Sequence, residues 1–190
     1  MRRLLPLALA LIVLPACRPE KLAGESVGQF RVEGELIEST CGAGHAVPQT
    51  LLFHVELRDE PGPVGYWKLA DGPIANGTVE AGAFRFEGST EHVGLERTDA
   101  HPGCTLIRRE VIAGELVQPS ASGDAGDAPD GGTSEDDARD GFDGTTTVTI
   151  SPATGSECSA LLLPQGGAFP ALPCELSFDL RGTRLEEPLW

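Results

Sequence analysis

Apolar and polar residues alternate along most of the chain beyond residue 28. The alternation has a period of two, which turns one face of each segment towards a core and the other towards water, as in antiparallel strands. A longer apolar stretch, Leu106–Val117, predicts two further strands or one strand bent at Gly114. The alternation is clearest in five segments: 30–36, 51–57, 84–87, 147–150 and 176–181.

Turn-forming residues separate these segments. The chain contains 24 Gly and 15 Pro, which disfavour long helices, and Asn76-Gly77 is a preferred pair for a tight hairpin turn. About eight to ten short strands with frequent turns are typical of an all-β fold. The pattern favours an antiparallel β-sandwich, with a closed barrel as the alternative.

One segment, 119–144, departs from the strand pattern. It holds eight acidic residues, one basic residue (Arg139) and one large apolar residue (Phe142). Such a composition buries too little apolar surface to offset the entropy of ordering, so it predicts a flexible, disordered acidic loop. We interpret it as an insertion within a single domain, 29–190. A linker between two domains is the alternative, but only 46 residues would follow it.

The amino-terminal residues have the features of an export signal. Arg2 and Arg3 precede an apolar run, Leu4–Leu14, and the small residue Ala16 follows it. This order of charged, apolar and small residues predicts a secretory signal peptide at 1–16. The apolar run is shorter than the roughly 20 residues that a membrane-spanning helix requires.

The end of this signal, Leu14-Pro15-Ala16-Cys17, resembles the lipobox of bacterial lipoproteins. The resemblance implies that diacylglycerol is attached to the Cys17 thiol, that the signal is cut before it, and that a fatty acid such as palmitate is added to the new amino terminus. Residues 17–28 would then be a lipidated tether. Several acyl chains hold a protein firmly, since each buried methylene contributes about 0.8 kcal/mol.

The residue after Cys17 bears on where the anchored protein resides. In the sorting systems of such lipoproteins, an Asp at this position retains the protein at the inner membrane, whereas this chain has Arg18. We therefore expect a lipid-anchored protein of the cell envelope, at the outer rather than the inner membrane. It would face the periplasm or the cell surface.

The net charge limits the choice of partners. It is −15 for the whole chain and becomes −17 once Arg2 and Arg3 are removed with the signal. A strongly acidic protein is repelled by phosphate backbones, which excludes nucleic acid as an expected partner. The expected partners are the membrane, through the anchor, and envelope proteins or polysaccharide.

Lipidation of Cys17 leaves an even number of cysteines: Cys41, Cys104, Cys158 and Cys174. Four cysteines in an exported chain predict two disulfides, with three possible connectivities. We favour Cys41–Cys104 together with Cys158–Cys174, because the second pair would close a short, proline-containing loop.

Two histidines suggest another use for the first pair. His45 follows Cys41 after three residues and His101 precedes Cys104 after two, so two thiolates and two imidazoles could bind zinc in a tetrahedral site. An oxidising compartment favours the disulfide instead.

The acidic loop is the second candidate metal site. Asp136 and Asp140 fall at ligand positions of a calcium-binding loop when Gly141 is its glycine, but Ala138 and Thr147 replace two required ligands. A solvated acidic loop is the favoured interpretation, and we predict no metal or other cofactor.

Motifs for catalysis are absent from the sequence. There is no Gly-x-Ser-x-Gly elbow, no His-Glu-x-x-His and no phosphate-binding glycine loop, and no catalytic residue is predicted. The favoured function is therefore a non-catalytic binding, adhesion or structural role in the cell envelope. The alternatives are a secreted hydrolase with a loop-assembled site and a calcium-dependent binding module that uses the acidic loop.

Overall fold

The computed structural model describes residues 23–42, 47–70, 72–99, 102–117 and 140–189. Antiparallel strands account for most of them, so the predicted all-β class is confirmed. Among the described residues, no helix is long and apolar enough to cross a membrane. The strands are β1 (Glu25–Ser39), β2 (Thr50–Asp59), β3 (Val64–Leu69), β4 (Ile74–Glu80), β5 (Ala83–Leu95), β6 (Cys104–Val117), β7 (Gly141–Pro152) and β8 (Cys174–Arg184).

The eight strands close into a barrel, and the predicted β-sandwich is wrong. Each strand pairs with the next strand in sequence, and β8 returns to pair with β1, for example at Phe30↔Arg184 and Gly34↔Leu180. Sandwiches and barrels both alternate inward and outward residues along each strand. The alternation therefore could not distinguish them, because closure depends on the pairing between the first and last strands.

Glycines on the inner face make room for aromatic rings in this narrow barrel. Gly182 lies opposite Phe142, and a Cβ added at Gly182 would be 2.1 Å from the Phe142 ring. Gly114 lies opposite Phe84 in the same way, with a Cβ 2.6 Å from that ring. The rings occupy the space that these two side chains lack, which gives a dense core.

The two ends of the barrel differ. We call the end where β1 begins the tether end and the opposite end the cavity end. β1 starts at Glu25, inside the segment 17–28 predicted as a tether. The strands on both sides of the acidic insertion, β6 and β7, pair with each other as far as Val117↔Gly141, which places their connection at the tether end. Residues 141–144 of the predicted insertion belong to β7, whereas 118–139 lie outside the described residues.

Part of the cavity end is covered by the segment 153–173, which contains the short 3₁₀ turns Ser159–Leu161 and Leu163–Gln165. Phe169 is buried there, and Leu161 and Leu162 pack against the core. This segment therefore extends the core beyond the barrel wall.

Two disulfides are present, as the count of four cysteines predicts, but the favoured pairing is wrong. Cys41 is bonded to Cys174, and Cys104 to Cys158. The strand register explains the first bond, because Cys41 and Cys174 flank the end of the β1–β8 ladder. The second bond joins the start of β6 to the segment that leaves β7, its neighbour in the barrel.

Candidate functional site

A cavity of about 560 Å³ opens at the cavity end of the barrel. Its walls come from strands β2 to β8 and from the short connection before β4. An eight-stranded barrel has an interior just wide enough either to be filled by side chains or to hold one small ligand. The lining is mainly apolar and includes Leu51, Leu52, Phe53, Trp67, Leu69, Pro73, Ile74, Ala75, Ile112 and Leu180, with the polar residues Asn76, Glu87, Ser89, Thr90, Arg108, Glu110 and Thr146.

Aromatic packing separates the cavity from the tether end. Trp67 is 2% exposed, and its ring lies 5.7 Å from Phe86 and 5.6 Å from Phe142 between centroids. Phe142 also packs against Phe84 at 5.2 Å and Phe30 at 5.3 Å. These rings fill the barrel between the cavity and the tether end.

One wall of the cavity carries a charged pair. Arg108 and Glu110 lie on the inner face of β6, and their side chains form an ion pair with 2.8 Å between Nη1 and Oε2. The Thr146 hydroxyl of β7 donates to the other carboxylate oxygen of Glu110 at 3.2 Å. Thr146 is itself buried at 2% exposure, so its hydroxyl holds the Glu110 carboxylate in a fixed position against the barrel wall.

The adjacent strand, β5, lacks a side chain at the point facing this pair. Gly88 lies directly opposite Glu110, and no heavy atom of the described residues lies within 4 Å of the position of an added Cβ. The open volume therefore extends up to the β5 backbone. Further along the same face, the exposed Thr90 hydroxyl and the His92 Nε2 are 3.2 Å apart.

Apolar side chains lie exposed at the rim of the cavity. Leu52 is 63% exposed and Ile74 is 46% exposed, and both line the opening. Together with the apolar walls, they give a continuous apolar surface from solvent to Trp67. Such a surface, with a few placed polar groups, is typical of a small-molecule site.

The residues predicted for metal or lipid chemistry lie elsewhere. Cys17, His45, His101 and Asp136 lie outside the described residues. Asp140 is at the tether end and forms an ion pair with Arg184, with 2.6 Å between Oδ2 and Nε.

The cysteines of the zinc alternative are not brought together as a pair. Cys41 and Cys104 are each oxidised with another partner, which removes both thiolates from that ligand set. Within the described ranges, no group of three or more His, Cys, Asp or Glu side chains could hold a metal ion.

The outer face carries a second depression, formed by β1, β2, β7 and β8. Its charged residues are partly paired, as for Arg31 and Glu33 at 2.9 Å. Glu35 and Asp179 face each other across the β1–β8 ladder as like charges. A cluster of exposed acids of this kind is common on an acidic protein and defines no ligand chemistry.

Sequence reasoning did not identify Arg108 and Glu110 as site residues. The stretch Leu106–Val117 is apolar overall, yet three consecutive charged residues, Arg108 to Glu110, interrupt it. An alternating strand in which charges occupy both faces must place at least one of them inside. That interruption was the available signal.

Comparison of the chain with protein-family models, curated proteins and solved structures finds no match. Function is therefore inferred from the amino-terminal sequence and from the geometry of the cavity.

Proposed function

We propose that the protein is a lipid-anchored binding protein of the cell envelope that holds a small, mainly apolar molecule in its barrel cavity. The cavity carries the proposal, because about 560 Å³ falls within the range of about 300–1,000 Å³ typical of small-molecule sites. Its mainly apolar lining, with one ordered charged pair, is the composition expected of such a site.

The anchoring part of the proposal rests on the resemblance of residues 14–17 to a lipobox. Lipid on Cys17 would keep the barrel at the envelope, with the outer membrane favoured by Arg18. Mass spectrometry of the mature amino terminus tests this part. An unmodified Cys17 would contradict it.

The hydrolase alternative receives less support from the cavity. Thr90 and His92 form a hydroxyl–imidazole pair, but both are exposed, and no carboxylate among the described residues is bonded to the imidazole to orient it. A nucleophile and base of this type need such a third group. The calcium alternative uses the acidic loop 119–144, of which Asp136 lies outside the described residues and Asp140 pairs with Arg184 at the tether end, away from the cavity.

Ligand binding can be measured directly with N-phenylnaphthylamine, an uncharged apolar dye that brightens in apolar surroundings. The chain has two tryptophans, so a Trp190→Phe background leaves Trp67 as the sole energy donor to the dye. Because Trp67 lines the cavity, we expect saturable energy transfer from it to one bound dye per chain.

A cavity-filling variant makes this test specific. Gly88→Leu places a side chain in open space on the inner face and should weaken dye binding at least about tenfold. Thr145→Leu places the same leucine side chain at an exposed position on the outer face of β7 and should leave binding unchanged. Equal binding by parent and Gly88→Leu would place the dye elsewhere and overturn the proposal.

A further inference from the structure

The charged pair in the cavity limits the kind of polar group that a ligand can carry. Arg108 and Glu110 are the paired charges on the inner wall, and their side chains keep 42% and 30% of their surface exposed to the opening. Any ligand that fills the cavity meets them. The hydrogen-bond donors and acceptors of this pair therefore determine which polar group a ligand can carry, while the apolar walls bind the apolar part of the ligand.

The two members of the pair are not equally available. Both carboxylate oxygens of Glu110 already accept hydrogen bonds or an ion pair, one from Thr146 and the other from Arg108. A guanidinium has five N–H donors, and in the described part of the chain Arg108 forms its ion pair with Glu110. Each carboxylate oxygen of Glu110 accepts one contact and keeps one acceptor site, whereas the guanidinium uses one of its nitrogens on Glu110 and keeps most of its donors. The pair therefore offers a ligand more donors than acceptor sites and favours a ligand that supplies an acceptor.

Charge then decides between a neutral acceptor and an anionic one. Glu110 neutralises Arg108, and Thr146 holds the carboxylate in place, so an anionic ligand would bring a second negative charge beside a single positive one. Like charges within a few ångströms disfavour each other strongly away from bulk water. An uncharged oxygen makes a charge-assisted hydrogen bond to the guanidinium without that penalty.

We infer that the ligand is an apolar molecule with an uncharged hydrogen-bond-accepting group, such as an amide, ester or alcohol oxygen, bound by Arg108. The inference rests on the proposed function, since it concerns the same cavity. Glu110 acts as the specificity-determining residue because its charge excludes anions.

Two probes of equal chain length separate the cases: lauramide, which is uncharged, and laurate, which is anionic. Each is titrated against bound N-phenylnaphthylamine in the Trp190→Phe background, below the concentrations at which the probes aggregate. We expect lauramide to bind at least about tenfold more tightly than laurate.

Glu110→Gln should reverse this preference. The amide keeps the shape of the carboxylate and an acceptor for Thr146, but leaves the Arg108 charge unpaired, so laurate should gain at least about tenfold in affinity. Glu115→Gln is the matched control, because it removes one negative charge from an exposed position on the same strand and should leave both affinities unchanged.

A double variant keeps the inference testable if Glu110→Gln alone does not fold. Arg108→Gln with Glu110→Gln keeps the cavity neutral without a guanidinium, and should bind lauramide more weakly than the parent without gaining affinity for laurate. Circular dichroism shows whether each variant is folded.

The outcomes separate the two proposals. If the dye binds and laurate displaces it as well as lauramide does, or if neither displaces it, the inference about the polar group is wrong and the binding function stands. If the dye itself does not bind in the cavity, the proposed function fails.

Discussion

At the scale of single residues, Tyr66 shows how one hydrogen bond alters a titration. Its hydroxyl donates to Glu60 Oε1 at 2.7 Å. This hydrogen bond, desolvation and the negative charge of Glu60 all raise the pKa of Tyr66 above its usual 10.0. The folded state therefore favours the protonated phenol.

This shift makes a prediction that can be read without labels, because Tyr66 is the only tyrosine in the chain. Near-ultraviolet absorbance of the phenolate should titrate above pH 10 in the parent. Glu60→Ala removes both the acceptor and the charge and should return the pKa towards 10.0, whereas Glu60→Gln should give an intermediate value.

The same shift fixes the sign of a pH effect on stability. A pKa that is raised on folding contributes stability below the unfolded value of about 10, and this contribution is lost as pH rises through the folded value. Urea unfolding at alkaline pH should therefore show a steeper loss of stability in the parent than in Glu60→Ala. Identical phenolate titrations in the two proteins would contradict the assignment.

At the scale of strands and loops, the alternation predicted much of what the barrel contains. Phe84 and Phe86 are buried and Arg85 between them is exposed, as period two requires. Local patterns of this kind report which face is buried, because that is decided by neighbours two residues apart. They could not report the β1–β8 pairing, which joins residues 137 to 154 positions apart, and so the predicted architecture was wrong.

The cavity could not be predicted for a related reason. Arg108 and Glu110 face inwards against the rule that charges lie outside, and they are tolerated because they pair with each other and with Thr146. Thr146 is 36 residues away from Glu110 in sequence. Only the closed sheet brings this partner to the pair.

The disulfides belong to this scale, since each ties a strand to a more distant segment. Cys41–Cys174 spans 133 residues and Cys104–Cys158 spans 54. In the chain-entropy model, each bond taken alone stabilises the fold by about 4 to 5 kcal/mol. The paired variants Cys41→Ser with Cys174→Ser, and Cys104→Ser with Cys158→Ser, should each lose a large part of this free energy of unfolding in urea titrations.

Peptide mapping without reduction checks the connectivity on which that prediction depends. Cleavage between the cysteines should release linked peptides containing Cys41 with Cys174 and Cys104 with Cys158. A linked peptide with Cys41 and Cys104 would restore the pairing favoured by sequence. Unchanged stability on removal of either bond would show that the crosslinks do not constrain the unfolded chain.

At the scale of the whole molecule, the tether end and the cavity lie on opposite sides of the aromatic cluster. Arg58 holds the chain at the tether end, where its Nε donates to the Ala23 carbonyl at 3.0 Å and its Nη2 donates to the Gly24 carbonyl. Glu56, which is 7% exposed, orients this guanidinium with 2.5 Å between Oε1 and Nη1. The chain therefore enters β1 along a fixed path.

This geometry predicts how the anchored protein faces its membrane, given the proposed lipid on Cys17. The six residue steps from Cys17 to Ala23 reach at most about 21 Å, so the tether end should lie close to the bilayer while the cavity opens away from it. Hydrogen exchange of lipidated protein in phosphatidylcholine vesicles, compared with unlipidated protein, should show protection at two connections of the tether end: at the amides of Glu60 and Gly62 between β2 and β3, and at residues 81–82 between β4 and β5. The cavity-end residues 96–99, between β5 and β6, should exchange equally in both forms.

The variant Arg58→Lys loses the planar guanidinium that binds both carbonyls, so it should reduce the difference in protection between the two ends. Protection centred on 96–99 would mean that the cavity faces the bilayer and draws its ligand from lipid rather than from solution.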